Sequence, residues 1–257
     1  MLTSQRKQFL LDALQRDGQV HATAMAQTLD VSEDTIRRDL RELAREGLLQ
    51  RVHGGALPAS AAMGDFAARK QIGAADKSAI GRLAAGLVQP GQVVFLDGGT
   101  TSAQLARHLP ASLRATVVTH SPSVAVELVT HPNVDVIMLG GRLFKHSVVG
   151  VGAATIDAIG QIRADVYFMG VCSVHPQAGL STGDYEEACV KRALSRAAAE
   201  TIVLASPEKF ATASPYQVVP LSEVSAIVTV DSVADGLLAP YRASGIVVHV
   251  ARGEEGA

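Results

Sequence analysis

The sequence predicts two domains, a small winged helix-turn-helix domain followed by an α/β domain with a mainly parallel sheet. At 257 residues the chain exceeds the usual size of one domain. Residues 3–56 show helical periodicity and charges of both signs, whereas short Val/Ile/Leu runs alternate with Ala-rich stretches after about residue 90. Residues 57–64 are small, uncharged and broken by Pro and Gly, as is typical of a connector. The predicted boundaries are residues 1–57 for the first domain, 58–70 for the linker and 71–257 for the second domain.

The composition is that of a globular protein whose net charge alone indicates no strongly charged partner. Lys and Arg number 23 against 25 Asp and Glu, a formal net charge of −2, and 47% of the residues are apolar. Cys172 and Cys189 form no CxxC pair, which favours a reducing compartment, and we expect both to be small core residues. Residues 1–7 lack the apolar core of a signal peptide, and no long apolar run follows. We therefore expect a soluble cytoplasmic protein without a membrane span, a cofactor or a metal site.

Three helices are predicted in the first domain. The first spans residues 6–16, whose apolar side chains fall on one face, and Gly18 ends it. Val20 begins a short extended segment, and a second helix ends near Asp30. Ser32 is a good N-cap for the third helix, because the acidic residues after it lie where the helix dipole favours negative charge.

The third helix carries an apolar stripe and a basic stripe. The apolar stripe is Ile36, Leu40 and Leu43, and the basic residues are Arg37, Arg38, Arg41 and Arg45. Two helices joined by a tight turn, with guanidinium groups on the second, form the geometry that enters the DNA major groove. The alternative is a solvated face in which the arginines pair with Glu42 and Glu46. Residues 1–57 contain eight basic and eight acidic residues, so this segment is not basic overall. We expect Asp39 to be an intramolecular partner of an arginine rather than a base-reading residue.

A two-stranded wing is predicted directly after the third helix. Residues 48–53 have the pattern of a strand, and Gly54 and Gly55 provide a tight turn. Arg51 and His53 would then lie beside the groove that the third helix enters.

The second domain alternates predicted strands with predicted helices. The strands are residues 93–96, 116–119, 134–139, 165–170 and 201–204, and the helices are residues 76–88, 103–109, 123–129 and 185–199. This alternation predicts a parallel sheet with helices on both faces, and ligands bind such sheets at the carboxyl ends of the strands. The residues that follow predicted strands, and that we expect to converge there, are Asp97, Gly98, Gly99, Thr100, Thr101, Ser121, Gly140, Gly141, Arg142 and Lys209.

The loop that begins at Asp97 has the composition of a phosphate-binding turn. Its glycines let the backbone approach an anion, the following helix offers free N–H groups, and the threonine hydroxyls add donors. The alternative is a tight turn with no ligand. Lys191 lies within a predicted helix, and its alternative role is a surface ion pair with Glu187, with Asp184 as the N-cap.

The first domain resembles the DeoR family of bacterial transcriptional regulators. The motifs that carry the resemblance are VSEDTIRRDL at residues 31–40 and RVHGGA at residues 51–56. The resemblance implies a winged helix-turn-helix that binds double-stranded operator DNA. The residues expected to contact DNA are Ser32, Thr35, Arg37, Arg38, Arg41, Arg51 and His53.

The second domain resembles the effector domain of the same family. The motifs are LDGGTT at residues 96–101, LGG at 139–141, GLST at 179–182 with Glu187 and Lys191, and EKF at 208–210. That domain is similar in fold to ribose-5-phosphate isomerase. The resemblance implies a phosphorylated sugar or related metabolite as inducer, with anion contacts from the Asp97 loop and a lysine.

These observations lead to the hypothesis of a repressor of sugar-catabolic genes that has no enzymatic activity or catalytic residues and is released by its effector. Paired half-sites would require a homo-oligomer, either a dimer or a tetramer. The alternative is a sugar-phosphate isomerase or lyase with an appended DNA-binding domain, because Asp, Glu and Lys near a phosphate can transfer protons. An activator without a small ligand is a third possibility.

Two positions depart from the family pattern and leave the effector's identity open. His120 stands where many members have Asn, and Ser206 stands where they often have Asp. His120 either contacts the ligand or is an ordinary packed residue.

Overall fold

The computed structural model describes residues 2–252 and contains the two predicted kinds of fold. The N-terminal elements are α1 (Thr3–Asp17), β1 (Val20–His21), α2 (Ala22–Leu29), α3 (Glu33–Arg45), β2 (Leu49–Val52) and β3 (Gly55–Pro58). A 3-10 turn (Ala61–Met63) and helix α4 (Phe66–Gln71) follow.

The α/β domain contains the remaining elements. Its helices are α5 (Ala74–Ala85), α6 (Thr100–His108), α7 (Pro122–Leu128), α8 (Ala153–Gly160), α9 (Tyr185–Arg196) and α10 (Asp235–Ala243). Its first strands are β4 (Val93–Leu96), β5 (Ala115–Thr119), β6 (Val134–Met138), β7 (Arg142–Phe144), β8 (Val149–Val151), β9 (Ala164–Gly170) and β10 (Ser173–His175). The later strands are β11 (Gly179–Thr182), β12 (Ala198–Leu204), β13 (Tyr216–Gln217), β14 (Ala226–Val230) and β15 (Val247–Ala251).

Gly18 and Ser32 bound the helices of the N-terminal domain as the sequence predicts, although α1 begins at Thr3 rather than residue 6. Gly18 ends α1 in the left-handed region at φ 72°, and its N–H donates to Leu14 O at 2.9 Å. The Ser32 hydroxyl accepts the Thr35 N–H at 3.3 Å and so caps α3. The core of the domain is aliphatic and includes Leu10, Ile36, Leu40, Leu43 and Leu49.

The wing is part of a three-stranded antiparallel sheet in the order β1-β3-β2. His53 and Gly54 form its turn, one residue earlier than the predicted Gly54–Gly55 turn. Gly54 has φ 79°, a conformation that glycine adopts without strain. Gly55 instead begins β3, and a Cβ atom there would lie 1.8 Å from Val20 O, so β1 can approach β3 only at a glycine.

A seven-stranded parallel sheet in the order β15-β14-β12-β9-β4-β5-β6 forms the centre of the α/β domain. The chain starts the sheet at β4, adds β5 and β6 on one side, and then returns to place β9, β12, β14 and β15 on the other. The strand order therefore reverses between β4 and β9. Ligand clefts of open parallel sheets form at such a reversal, beyond the carboxyl ends of the strands.

Two small antiparallel sheets were not predicted from the sequence. Strands β7 and β8 form a hairpin, and β10, β11 and β13 form a three-stranded sheet. These strands have two to four residues each, too few to show a hydrophobic period.

Several boundary predictions were wrong. Helix α5 ends at Ala85 rather than residue 88, and α6 begins at Thr100 rather than residue 103. Helix α9 ends at Arg196 rather than residue 199, because Ala198 pairs with Ala164 of β9 and the chain joins the sheet. The strand pairing overrides the helix propensity of an Ala-rich segment. The predicted linker also contains the helix α4, which Asp65 caps by accepting the Ala68 N–H at 2.8 Å.

The segment between the two domains, residues 58–72, lies against the α/β domain; we call it the connector. The Ala213 N–H donates to Pro58 O at 3.2 Å, and the Ser60 hydroxyl donates to Cys172 O. The Phe66 N–H donates to His146 O at 2.8 Å. The connector is therefore held by hydrogen bonds along its length.

Candidate functional site

The exposed face of α3 carries arginines that form no ion pair within 4 Å among the described residues, although Glu42 acts electrostatically on Arg38 and Arg45. Arg38, Arg41 and Arg45 lie opposite the buried stripe of α3 and are exposed, as is Arg51 on the wing. Among residues 2–252, no carboxylate oxygen lies within 4 Å of any of these four guanidinium groups. Their donors are free to bind phosphates or base edges.

The acidic residues of α3 are used by α1 instead. Asp39 is buried and accepts hydrogen bonds from Arg6, whose Nη2 lies 3.1 Å from Asp39 Oδ1. Lys7 Nζ lies 2.9 Å from Glu42 and 3.4 Å from Glu46. The predicted pairing of Glu42 and Glu46 with the arginines of α3 is therefore absent at ion-pair distance within the described residues, and Asp39 has the expected intramolecular role.

The other residues predicted to contact DNA lie on α3 and the wing. Arg37 is exposed but forms an ion pair with Glu33 at 2.9 Å. The hydroxyls of Ser32 and Thr35 lie 2.9 Å apart at the start of α3, and His53 is exposed in the wing turn. All seven predicted residues thus belong to two elements, and α3 packs against the wing strand β2.

Asp97 anchors the site in the α/β domain. It follows β4, is fully buried, and its two carboxylate oxygens accept five hydrogen bonds. The donors are Lys191 Nζ at 2.6 Å, Tyr167 OH, Gly170 N and Gly98 N at 2.8 Å each, and His120 Nε2 at 2.9 Å. Because β4 and β9 flank the reversal of strand order, this network lies where a ligand cleft is expected.

Asp97 and Lys191 hold each other in their charged forms. Burial raises the pKa of Asp97, but the Lys191 ammonium and the His120 ring outweigh it and keep that pKa well below its usual value. Burial lowers the pKa of Lys191, but Asp97 and Glu187 reverse the effect and raise it. The ion pair with Glu187 that was the alternative role of Lys191 is present, and Asp184 is the N-cap, but the pair is buried rather than at the surface, because Lys191 is only 2% exposed. Glu187, 3.3 Å away, is a second buried partner.

A cleft lies over this network. Six of the ten predicted effector contacts line it: Gly98, Gly99, Thr100, Thr101, Lys191 and Lys209. Asp97 lies behind the cleft, with no exposed surface and every oxygen occupied. The structure therefore places Asp97 where it holds Lys191 and the loop rather than where it contacts a ligand.

The remaining predicted residues point to a neighbouring hairpin. The Ser121 hydroxyl lies 3.2 Å from Val148 O, and Gly140 O accepts the Thr155 hydroxyl at 2.7 Å. Gly141 packs so closely against Thr155 that a Cβ atom would lie 2.0 Å from its hydroxyl. Ser121, Gly140 and Gly141 thus support β7 and β8 outside the cleft, and Arg142 pairs with Glu186.

Two buried donors at the cleft have no protein partner. Ser102 Oγ and Arg69 Nη2 form no hydrogen bond within residues 2–252, although each atom is buried. Helix α6 begins beside them at Gly99, which has φ 121° and offers no side-chain cap. The N–H groups of its first turn therefore point outward unpaired, as at anion sites on helix N-termini.

Two further buried cations face the same cleft. Among the residues that the structure describes, Leu204 O is the one acceptor of Lys209 Nζ, at 3.3 Å, and burial lowers the pKa of Lys209 to about 8. Lys77 Nζ donates to Arg69 O at 2.6 Å, and burial lowers the pKa of Lys77 as well. Glu208 acts electrostatically on both ammonium groups, but among residues 2–252 no carboxylate oxygen lies within 4 Å of either, so a bound anion would add a closer counter-charge.

Three residues of the cleft, Arg69, Lys77 and Ser102, were not among the predicted effector contacts. Arg69 fell within the predicted linker, Lys77 within a predicted helix, and Ser102 directly after the predicted phosphate loop. Position within the first turn of α6 was a usable signal for Ser102, because side chains there face the same ligand as the backbone N–H groups.

The two positions that depart from the family pattern are internal. His120 is fully buried between Asp97 and Gly150 O, which its Nδ1 approaches at 2.8 Å. It therefore has the packed role. Ser206 is also buried, and its hydroxyl donates to Glu208 at 2.6 Å.

A metal-binding cluster and a membrane-spanning helix are both absent from the described residues. Residues 2–252 contain no group of three or more His, Cys, Asp or Glu side chains arranged to bind a metal ion. Over the same residues, no helix has the length and apolar character needed to cross a membrane.

The chain matches two family models. Residues 6–61 match the DeoR-like helix-turn-helix domain, and residues 73–231 match the DeoR C terminal sensor domain. A glycerol-3-phosphate regulon repressor of Haemophilus influenzae is 33% identical over 239 residues, which cover 93% of each chain. A repressor of the same name from Escherichia coli is 30% identical over 89% of this chain and 91% of its own. The transcriptional repressor GlcR of Bacillus subtilis is 30% identical over 89% of each chain.

Among solved structures, ribose 5-phosphate isomerase A of Methanocaldococcus jannaschii is a distant neighbour. It is 18% identical over 52% of each chain, with a TM-score of 0.39.

Proposed function

The chain belongs to the DeoR family of transcriptional regulators and is a DNA-binding regulator, and from this premise we propose that it represses sugar-catabolic genes until a phosphorylated sugar or related metabolite releases it. One observation carries the proposal for the effector. Two buried donors without partners, Ser102 Oγ and Arg69 Nη2, meet the N-terminus of α6 in one cleft. A phosphate ester offers the acceptor oxygens that such a set of donors requires.

The names of two relatives agree with this chemistry. Both are named glycerol-3-phosphate regulon repressors, and glycerol 3-phosphate is a phosphate ester of a small polyol. The cleft supplies the matching groups, with Lys77, Lys191 and Lys209 at its walls. We therefore assign the phosphate to the first turn of α6.

The connector offers a route from the effector to the DNA-binding domain. Ala62, Arg69 and Ile72 of the connector line the cleft, and the wing strand β3 runs directly into the connector. A ligand whose phosphate binds the Arg69 guanidinium has a higher affinity for the arrangement of the connector in which Arg69 reaches the cleft than for other arrangements. That differential affinity would shift the population away from the DNA-competent arrangement.

The cleft is proposed as a binding site rather than a catalytic site. Asp97 is saturated by five donors, Glu187 is held by Ser147 and Lys191, and Glu208 accepts from Ser206. Each carboxylate therefore has a fixed partner, which is a poor arrangement for a proton-transferring base. Incubation of the purified protein with a panel of sugar phosphates tests this, and sustained product formation would overturn it.

We also propose that the protein acts as a homo-oligomer, a dimer or a tetramer. A single recognition helix reads one half-site, and two helices related by symmetry read the pair. Sedimentation of the full chain with and without operator DNA tests this proposal, and a monomer in both conditions would contradict it.

Replacing Arg69 by Met, or Ser102 by Ala, is expected to weaken binding of a phosphorylated ligand while operator affinity without ligand stays unchanged. A hydrogen bond to a charged group contributes about 1.5–3 kcal/mol, so the Arg69 variant should lose about 10- to 150-fold in affinity. Calorimetric titration with glycerol 3-phosphate and with inorganic phosphate measures the loss. Arg163→Met, on the exposed surface away from the cleft, is the matched control. Wild-type affinity in both cleft variants would remove the site.

Anion binding is expected to weaken as the pH rises through about 8. Lys209 has a pKa lowered to about 8 in the folded protein, so it is charged below that pH and loses its proton above it. Inorganic sulfate is the suitable probe, because it carries the same charge over this range and only the protein titrates. Its affinity should be constant near pH 7 and fall above pH 8. Lys209→Arg should bind sulfate equally well at pH 7 and pH 9, and a flat wild-type profile would contradict the assignment.

A further inference from the structure

A second chamber adjoins the cleft. The two share Ala62, Arg69, Cys172 and Glu187 as lining residues. A ligand whose phosphate lies at the N-terminus of α6 therefore has room to extend past Arg69 and Glu187. The chamber is where the rest of such a ligand would lie.

The chamber differs from the cleft in its charge. The cleft has four cationic side chains among the described residues, Arg69, Lys77, Lys191 and Lys209, whereas Arg69 at the junction is the one Lys or Arg in the described lining of the chamber. Each space is lined by two carboxylates, Glu187 and Glu208 in the cleft and Glu187 and Asp184 in the chamber. Lys and Arg side chains therefore outnumber carboxylates in the described lining of the cleft, whereas carboxylates outnumber them in that of the chamber. The stacked rings of Phe144 and His146, with centroids 5.6 Å apart, form part of its wall.

Glu187 lies where its carboxylate would contact the part of the ligand that extends into the chamber. It is only 6% exposed, and its Oε2 accepts the Ser147 hydroxyl at 3.0 Å while Oε1 lies 3.3 Å from Lys191 Nζ. Asp184 fixes the backbone at this point, because its side chain accepts the Glu187 N–H at 2.9 Å. Each carboxylate oxygen has two acceptor directions, so Glu187 retains capacity to accept a hydroxyl of a ligand.

We infer that the ligand is a monophosphate ester of a neutral polyol or sugar, and that Glu187 rejects compounds with a second anionic group. This inference rests on the proposed function and deepens it. A hydroxylated carbon chain can donate to the Glu187 carboxylate and lie against the Phe144 ring. A carboxylate or second phosphate at the same place would meet a like charge in a buried site, where repulsion is poorly screened.

A matched pair of three-carbon ligands tests the inference with the full-length protein. Glycerol 3-phosphate and 3-phosphoglycerate both carry one phosphate, and 3-phosphoglycerate also carries a carboxylate. Calorimetric titration should show glycerol 3-phosphate binding at least about tenfold more tightly. In Glu187→Gln this preference should shrink or reverse, whereas Glu223→Gln, which removes an exposed carboxylate outside the cleft and the chamber, should keep it. Near-equal affinities in the wild-type protein, or an unchanged preference in Glu187→Gln, would overturn the inference.

Two further measurements keep the outcomes separate. Inorganic phosphate tests the proposed function alone. If no phosphate compound binds, the proposed function is wrong. If phosphate binds but the protein shows no preference between the two esters, only the role of Glu187 is wrong. If Glu187→Gln does not fold, fructose 6-phosphate and fructose 1,6-bisphosphate decide the matter with the wild-type protein. Equal or tighter binding of the bisphosphate would then overturn the inference, and at least about tenfold weaker binding would support it.

Discussion

Replacement of Asp97 by Ala is expected to lower the free energy of unfolding of the α/β domain by about 3–5 kcal/mol. The variant leaves the Lys191 ammonium buried at 2% exposure without its closest counter-charge. It also leaves Tyr167 OH and the Gly98 and Gly170 N–H groups without their acceptor. Urea unfolding followed by circular dichroism measures the loss. Failure of an Asp97→Ala repressor to respond to its inducer would therefore reflect a damaged domain rather than a lost ligand contact.

Asp157→Ala, which removes an exposed carboxylate from α8, is the control for Asp97→Ala. The folded-state pKa of Asp97 is lowered, so its contribution to stability is present above the ordinary carboxyl pKa and is lost as the pH falls below it. Asp97→Ala and Asp157→Ala proteins of equal stability would contradict the assignment of Asp97 as an anchor.

Replacement of Arg38 or Arg41 by Ala is expected to weaken operator binding by about 1–3 kcal/mol wherever the side chain reaches a base edge. Both are exposed on α3 and have no carboxylate within 4 Å among the described residues, so neither must break an ion pair before it binds DNA. Where the side chain binds phosphate instead, the slope of log affinity against log salt should decrease by about one unit. The measurement uses a duplex selected from random sequence by the wild-type protein, titrated at several salt concentrations.

Arg16→Ala is the matched control for the recognition helix. Arg16 is an exposed arginine of α1 that pairs with Asp17 at 2.7 Å, outside α3 and the wing. Its removal should change neither affinity nor salt slope by a comparable amount. If Arg38→Ala, Arg41→Ala and Arg16→Ala behaved alike, α3 would not be the helix that enters the groove.

Much of the N-terminal domain follows from local signals in the sequence. Gly18 ends a helix, Ser32 begins one, and the spacing of Ile36, Leu40 and Leu43 defines a buried face, each within a few residues. Such signals act over one or two turns and require no knowledge of distant contacts. The partners of the acidic residues were not predictable in this way. Asp39 pairs with Arg6, 33 positions away, and only the packing of α1 against α3 brings them together.

The site in the α/β domain was only partly predictable for the same reason. The rule that ligands bind beyond parallel strands located the Asp97 loop and Lys209. It also selected Gly140 and Gly141, because it does not state which strands flank the reversal of order, and β6 lies at the edge of the sheet. Arg69 belongs to the connector, and nothing in a connector's composition indicates which side chain will reach a cleft. The role of Asp97 required its five partners to be known, since the sequence shows a carboxylate without showing that it is saturated.

The ion pairs between α1 and the acidic residues Asp39, Glu42 and Glu46 also govern how the N-terminal domain approaches DNA. Its basic and acidic residues are equal in number, so the phosphate backbone exerts little net pull on it from a distance. The charges are nevertheless separated, because Arg6 and Lys7 form ion pairs with acids on one side, while on the other side Arg38, Arg41 and Arg45 form no ion pair within 4 Å among the described residues. A neutral body with separated charges experiences a torque in an electric field. DNA would therefore rotate the domain until α3 faces it before contact, while sites without the right bases hold it only weakly.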